Sequence, residues 1–261
     1  DALTGPAVAG VKTTGLIFGD YSNGNDGIVL LNGTSCKDLV GRTVRIVEFS
    51  VSHFVLWRCL QESGVSEKDV KLKNTNERQI INIFKRSTDP RKAVATWNPY
   101  LMEVRYEKGT TMVFDSSKIP GEIIDMMAVN SDVPDNVKRA LVGAWYEAME
   151  IMASNDKKGQ EARRFMAKQA GGTLDQFEQQ LKTTFMFYKP ADAVKFAEDE
   201  ELKVTMEHVR QFAFTHDLLT AAKDVDMVGI QFPDGAIVGN PENVMLILDK
   251  SYMEMAARGE L

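Results

Sequence analysis

The sequence predicts an α/β protein, built on a parallel sheet covered by helices. In the first half, short β-branched runs alternate with amphipathic helical segments, and after Pro134 helices follow one another with few strands. The chain has 261 residues, which at roughly 150 residues per domain gives one or two domains, able to bury a core without disulfides or metals.

Gly15 to Gly19 and Ile28 to Leu31 read as strands. Between them, Asp20-Tyr21-Ser22-Asn23-Gly24-Asn25-Asp26-Gly27 reads as a loop dense in hydrogen-bonding groups, which fits a functional loop and a solvated turn equally well. Thr43 to Phe49 alternates as a strand, and Ser50-Val51-Ser52-His53 opens a helix that runs to about Glu62 and is stopped by Ser63-Gly64. Val70 to Lys73 is a strand, Thr75-Asn76 caps a helix over Glu77 to Lys85, and Ala93 to Thr96 is a buried strand. Pro99 suits the first turn of the helix after it. Thr111 to Phe114 and the apolar run Ile123 to Val129 follow. Val137, Leu141, Ala144, Ala148, Met149 and Met152 keep helical spacing, so Asp135 to Ser154 is an amphipathic helix. Further helices are expected over Gln160 to Gln169, Thr173 to Thr184, Pro190 to Glu198 and Glu201 to Phe214. Met227 to Phe232 and Val244 to Leu248 fit strand or buried loop, and Tyr252 to Arg258 a last helix.

Composition removes several function classes. Hydrophobic residues make up 44% and charged residues 26%, which excludes a disordered or fibrous chain. A net charge of −6 argues against broad attraction to nucleic acid or anionic lipid. Cys36 and Cys59 are too few for a disulfide framework or a cysteine-built metal centre, and whether they bridge is open. No uncharged apolar run is long enough to span a bilayer. The chain starts at Asp1 with no leader-like run, so a secretory signal, if there was one, is expected to have been removed.

Neither a phosphate loop nor a strand-to-helix glycine fingerprint is present, which sets aside kinases and dehydrogenases and leaves no cofactor to expect. His53, His208 and His216 lack the helical spacing of a zinc site, so no metal is expected. Ser50 or Ser52 with His53 lacks a nucleophile elbow, and no catalytic residue is assigned.

What remains is a binding geometry. The helix opening at Ser50 to His53 follows a strand, so its free N–H groups, hydroxyls and dipole converge where a small polar or anionic group could sit; plain N-capping is the competing reading. Trp97 and Asn98 end another strand, at the edge where open α/β sheets place ligands, and an indole face beside an amide suits a flat hydrogen-bonding solute.

These residues resemble a known family, the taurine, alkanesulfonate and nitrate type of solute-binding protein that serves ABC importers. The similar stretches are Asp38-Leu39-Val40-Gly41-Arg42-Thr43-Val44, the Ser50 to His53 helix start and Ala95-Thr96-Trp97-Asn98-Pro99-Tyr100. A subgroup found with urea-carboxylase systems is the nearest in pattern, through Gly19 to Gly27, Ile119-Pro120-Gly121-Glu122-Ile123 and Val228-Gly229-Ile230-Gln231-Phe232-Pro233-Asp234-Gly235.

The resemblance implies a two-lobed periplasmic-binding-protein-like fold (type II), with the lobes closing on solute like a hinge. It puts the crossovers at Ile28 to Leu31 and at residues 123–130. Lobe two is then about Asn32 to Glu122, and lobe one Asp1 to Gly27 plus Ser131 to Leu261. Asp1-Ala2-Leu3-Thr4 resembles a stretch that follows the first strands of lobe one in the family, so about two βα units of roughly 30 residues each are expected upstream.

The same resemblance implies Ser50, Ser52, His53, Trp97, Asn98 and Tyr21 as ligand-binding residues, with Asp1 and Asp125 as lobe-one or hinge contacts. Acidic contacts favour a urea-, amide- or guanidine-like solute; a small anion such as nitrate, taurine or another alkanesulfonate is the alternative. It also implies an exported, monomeric protein, free in the periplasm or lipid-anchored, whose partners are a small-molecule solute and ABC permease subunits. Two rivals share the fold: thiamine-pyrimidine synthases, whose clustered cysteine motif this chain lacks, and ligand-sensing modules.

Overall fold

The structure, a computed structural model, describes residues 1–220 and 222–261. The turn Asn23-Gly24-Asn25 separates β1 (Thr13–Ser22) from β2 (Asp26–Leu31). Next come β3 (Thr43–Ile46), α1 (Val51–Ser63), β4 (Lys71–Asn74), α2 (Glu77–Arg86) and β5 (Ala93–Trp97). They are followed by α3 (Tyr100–Val104), β6 (Thr110–Asp115) and β7 (Ile124–Asn130). The second half contains α4 (Asp135–Ala153), α5 (Lys157–Gln169), α6 (Leu174–Leu181), β8 (Thr184–Met186), α7 (Pro190–Ala197) and α8 (Glu201–Thr215). It closes with β9 (Gly229–Gln231), β10 (Ile237–Val238), β11 (Val244–Leu248) and α9 (Ser251–Ala257).

The chain forms two units. One comprises Asp1–Tyr21, Ile124–Glu178 and Phe185–Leu261; the other, Ser22–Ile123 with Gln179–Thr184.

In the Ser22–Ile123 unit the sheet order is β4-β3-β5-β2-β6. β3, β4 and β5 are joined through helices and run parallel, as βα units require. β2 alone runs against its neighbours, pairing antiparallel with β5 and β6, so the sheet expected to be parallel is mixed, with its helix-linked strands β3, β4 and β5 parallel. One face is covered by α2 and α3 through Val29, Ile80, Phe84, Val94, Leu101 and Val104, while α1 packs on β2 and β5. α1 is bounded as its sequence demands: the Ser50 hydroxyl accepts the Ser52 N–H, and Gly64 ends the helix at φ 66°, a conformation costly for any residue with a Cβ.

The Asp38 to Val44 stretch is a clasp. The Asp38 carboxylate takes the N–H groups of Thr34 and Ser35, and the buried Arg42 guanidinium donates to the carbonyls of Asp38, Leu31 and Asn32. Cys36 and Cys59, whose pairing the sequence left open, form a disulfide with Cα atoms 5.9 Å apart, tying this clasp to α1.

In the other unit the sheet runs β10-β9-β11-β1-β7, with β8 also on β1. β1, β11 and β9 are parallel, and β7 and β10 run against them. Leu16 and Phe18 of β1, Val142 and Met149 of α4, and Ile230, Leu246 and Met253 share its core. Gly229 lets β9 pass close to its neighbour, since a Cβ there would lie 2.2 Å from the Asn240 carbonyl oxygen.

Several expectations need correction. Ile28 to Leu31 are not a crossover: this fully apolar run is buried in the centre of the second sheet, and the units divide at Tyr21/Ser22. At the second expected crossover, residues 123–130, the units divide at Ile123/Ile124, and the rest of that run is the regular strand β7. The loop expected over Asp20 to Gly27 shrinks to three residues, Asn23 to Asn25, because Asp20 and Tyr21 pair with Asp125 and Ile124 of β7. The helix expected through Thr184 ends at Leu181, where the chain turns into β8.

Candidate functional site

In the Ser22–Ile123 unit, the strand ends and the N-terminus of α1 form a polar edge. Ser50 is half-buried and largely committed to its cap: it accepts the Ser52 N–H at 3.2 Å and donates to the Val47 carbonyl at 2.7 Å. His53 is buried and serves the turn as well. Its Nδ1 accepts the Phe49 N–H at 3.1 Å, which places the ring proton on Nε2, 3.3 Å from Glu67 Oε1. Ser52 differs: it is 1% exposed and its hydroxyl has no hydrogen-bond partner among the described residues. A buried hydroxyl without a partner, at a helix N-terminus, is a group awaiting one.

At the end of β5, Trp97 is half-buried and Asn98 buried. The Asn98 N–H donates to the Asn25 carbonyl at 2.8 Å, and its Nδ2 to Asn25 Oδ1 at 2.8 Å. Asn25 in turn engages Thr183 and Thr184, which enter this unit from far along the chain. Beneath them, Ser22 donates to Asp26 Oδ2 at 2.6 Å, and the Ser116 hydroxyl accepts the Gly24 N–H at 2.7 Å, which fixes the turn carrying Asn25. Thr96 also has an unpartnered hydroxyl, but its register partner is Gly27, so it faces the Leu101 and Met112 side of the sheet instead of joining this edge.

The other unit has an acidic, aromatic edge of its own. Asp20 and Asp125 are register partners across β1 and β7, so their side chains share one face. Burial first, and the Asp125 charge second, push the Asp20 carboxyl from 3.8 up to about 7. Asp125 is raised as well, by desolvation, although its side chain reaches solvent. Tyr21 stacks on the exposed Phe185 with ring centres 4.7 Å apart and planes 5° apart, and Phe187 and Phe196 pack around it. Trp145 lies against Gly19, where a Cβ would meet its ring at 3.0 Å.

The structure therefore groups Ser50, Ser52 and His53 on α1, sets Trp97 and Asn98 at the end of β5, and places Tyr21 beside the Asp20 and Asp125 edge. Asp1 is exposed in the opening turn, where its carbonyl accepts the N–H groups of Thr4 and Gly5; among the described residues no hydrogen bond joins it to Asp125. Sequence reading passed over Asp20, Asn25, Thr183 and Thr184. The first two lie in the polar segment it singled out; Thr183 and Thr184 carry no local signal, being more than 150 residues from Asn25. A groove of about 950 Å³ in the first unit, lined by α4 residues such as Ala140, Gly143 and Ala144, contains none of these groups.

These two mixed sheets, each with one strand beside β1 or β5 running against the helix-linked strands, define the two-lobed α/β periplasmic-binding-protein fold. Solved structures share it. The periplasmic aliphatic sulphonate binding protein SsuA from Escherichia coli aligns with a TM-score of 0.65 at 15% identity, over 84% of this chain and 73% of that one. A putative periplasmic sulfonate-binding protein SsuA from Methylobacillus flagellatus aligns with a TM-score of 0.68 at 12% identity, over 98% and 73%. The CA3427 gene product of Candida albicans, described as having the generic periplasmic binding protein fold, gives 0.58 at 12% identity, over 86% and 73%. The chain belongs to the NMT1/THI5 like family, which matches residues 25–158, about half its length. No curated protein matches it significantly in sequence.

Proposed function

We propose that this chain is the substrate-binding component of an ABC importer and captures a small nitrogen-containing solute, urea-, amide- or guanidine-like. The observation that carries this reading is the chemistry of the polar edge. Ser52 and Asn98 are buried and neutral, and among the described residues each keeps an unpartnered oxygen. Such a set suits a neutral, hydrogen-bonding solute lying against the Trp97 face. The Asp20 and Asp125 edge carries the same bias by itself, since its partial negative charge, with Asp20 sharing a proton near neutral pH, attracts a cation or N–H donors and disfavours an anion.

Ser50, Ser52, His53, Trp97, Asn98, Tyr21 and Asp125 remain the proposed ligand residues, with Asp20 added; Asp1 is a weaker member, being exposed. The chain acts by binding and release without turnover, as a monomer with permease subunits as partners. The setting is extracytoplasmic, in keeping with the Cys36–Cys59 disulfide, which persists in oxidising compartments. No helix among the described residues is long and apolar enough to cross a membrane.

A second reading, a small anion such as an alkanesulfonate, taurine or nitrate, is favoured by the helix N-terminus with the free Ser52 hydroxyl and by the sulfonate-binding proteins that share the fold. A thermal-shift panel of urea, formamide, guanidine, small amines, taurine, nitrate and aminopyrimidines tests both. A solute at a hundred times its dissociation constant adds about 2.7 kcal/mol of stability. The expected result is a shift with one nitrogen solute that Trp97→Ala abolishes. A shift with the anions alone selects the second reading, and a folded protein that responds to none overturns solute capture.

A further inference from the structure

We propose that Phe49 is a specificity-determining residue: with Val51 it makes an apolar rim at the start of α1 that packs against a hydrocarbon substituent on the solute, so the preferred solute is an N-alkylated urea, amide or guanidine and not the bare compound. The inference rests on the solute-binding reading above and narrows the class of solute.

Phe49 is held in a conformation that its side chain does not favour. It stands at φ 65°, in the left-handed region where a Cβ crowds the following carbonyl and glycine is the usual occupant. The turn that imposes this is built without the phenyl ring. The Ser50 hydroxyl donates to the Val47 carbonyl at 2.7 Å, the Ser50 N–H reaches the same oxygen at 3.4 Å, and the Phe49 N–H donates to His53 Nδ1 at 3.1 Å. A glycine at this position would make the same bonds.

Nor does the ring serve the core. It is 53% exposed, and among the described residues its ring neighbour is His53, tilted at 45° with centres 5.7 Å apart. Val51, on the other side of Ser50 in the chain, is 44% exposed. Two large apolar side chains thus flank the Ser50 cap, on the same first turn as Ser52, whose buried hydroxyl has no partner among the described residues. A strained residue whose side chain the fold does not use points to a contact outside the fold. Here that contact is apolar and lies within one helical turn of a hydrogen-bonding group, which is the complement of a small molecule with a polar head and a short hydrocarbon arm.

Isothermal titration of the full chain with urea, methylurea, ethylurea and propylurea, and with the matching guanidinium series, reads the rim as a slope. Each methylene buried against it is expected to tighten binding by about two- to fourfold in the wild-type chain. Phe49→Gly should flatten that slope, keep the affinity for the unsubstituted head within about twofold, and leave Tm no lower, since glycine suits this backbone. Phe49→Tyr should keep the slope. Phe49→Asn, which also tolerates the left-handed region, takes the place of the glycine variant if circular dichroism shows that variant unfolded. A wild-type series without slope, a slope that Phe49→Gly leaves unchanged, or an equal loss for bare and alkylated heads overturns the rim alone. A folded wild-type chain that binds neither series overturns the solute-binding reading beneath it, and the rim with it.

Discussion

Asp125→Asn is expected to lower the pKa of Asp20 by about one pH unit. The Asp20 carboxyl stands at about 7 instead of 3.8, with burial the larger cause and the Asp125 charge the second. A rise of that size separates the protonated and ionised forms by about 4 kcal/mol, which solvent screening at this half-buried edge reduces to about 2 kcal/mol. Two carboxylates about 5 Å apart repel by about 3 kcal/mol at an effective dielectric of 20 and by about 0.8 kcal/mol in bulk water. With burial leading, the Asp125 share is about 1 kcal/mol, close to one pH unit.

The sign for stability follows from the direction of the shift. A carboxyl whose pKa is raised on folding holds its proton more tightly in the folded state, so its contribution is fully present below 3.8 and is lost as pH rises through about 7. Carbon-13 carboxyl NMR, assigned by comparison with Asp20→Asn, measures the titration in both proteins. An Asp20 midpoint near 4, or one that Asp125→Asn leaves unmoved, refutes the coupling of these two strands' carboxylates.

Two further outcomes follow from the fold. Replacing Cys36 and Cys59 by Ala removes a cross-link with a sequence separation of 23 and is expected to cost about 3 kcal/mol, read from urea unfolding midpoints with and without reductant; unchanged midpoints contradict the bridge. Gly229→Ala forces a Cβ to within 2.2 Å of the Asn240 oxygen and is expected to lower stability by about 2 kcal/mol or more, seen as a drop in Tm, whereas a neutral effect would mean that β9 and the Asn240 turn do not approach this closely.

Much of the site's scaffold was legible locally. Ser50 before an apolar helical run and Gly64 after it bound α1 by capping chemistry that depends on immediate neighbours alone. The apolar spacing marked α4 as a helix for the same reason, but only part of its buried stripe: Met149 and Met152 are buried, whereas Val137 and Leu141 are exposed and Val142 and Tyr146 complete the buried face. The Asp20 to Gly27 segment was recognisable as polar and turn-rich, yet not as strand, because what makes Asp20 and Tyr21 extended is their pairing with Asp125 and Ile124 on a strand a hundred residues away.

Length, charge, the capped bounds of α1 and the absence of a phosphate-loop motif were legible in the sequence alone, since each depends on composition or on residues within a turn of one another. Which strand runs against its sheet, that Cys36 meets Cys59, that Asp20 faces Asp125, and that Thr183 and Thr184 lock Asn25 and through it Asn98 were decided only by tertiary structure. Each of these is a meeting of segments distant in the chain, and such contacts form because the fold as a whole buries its apolar strands and satisfies its backbone.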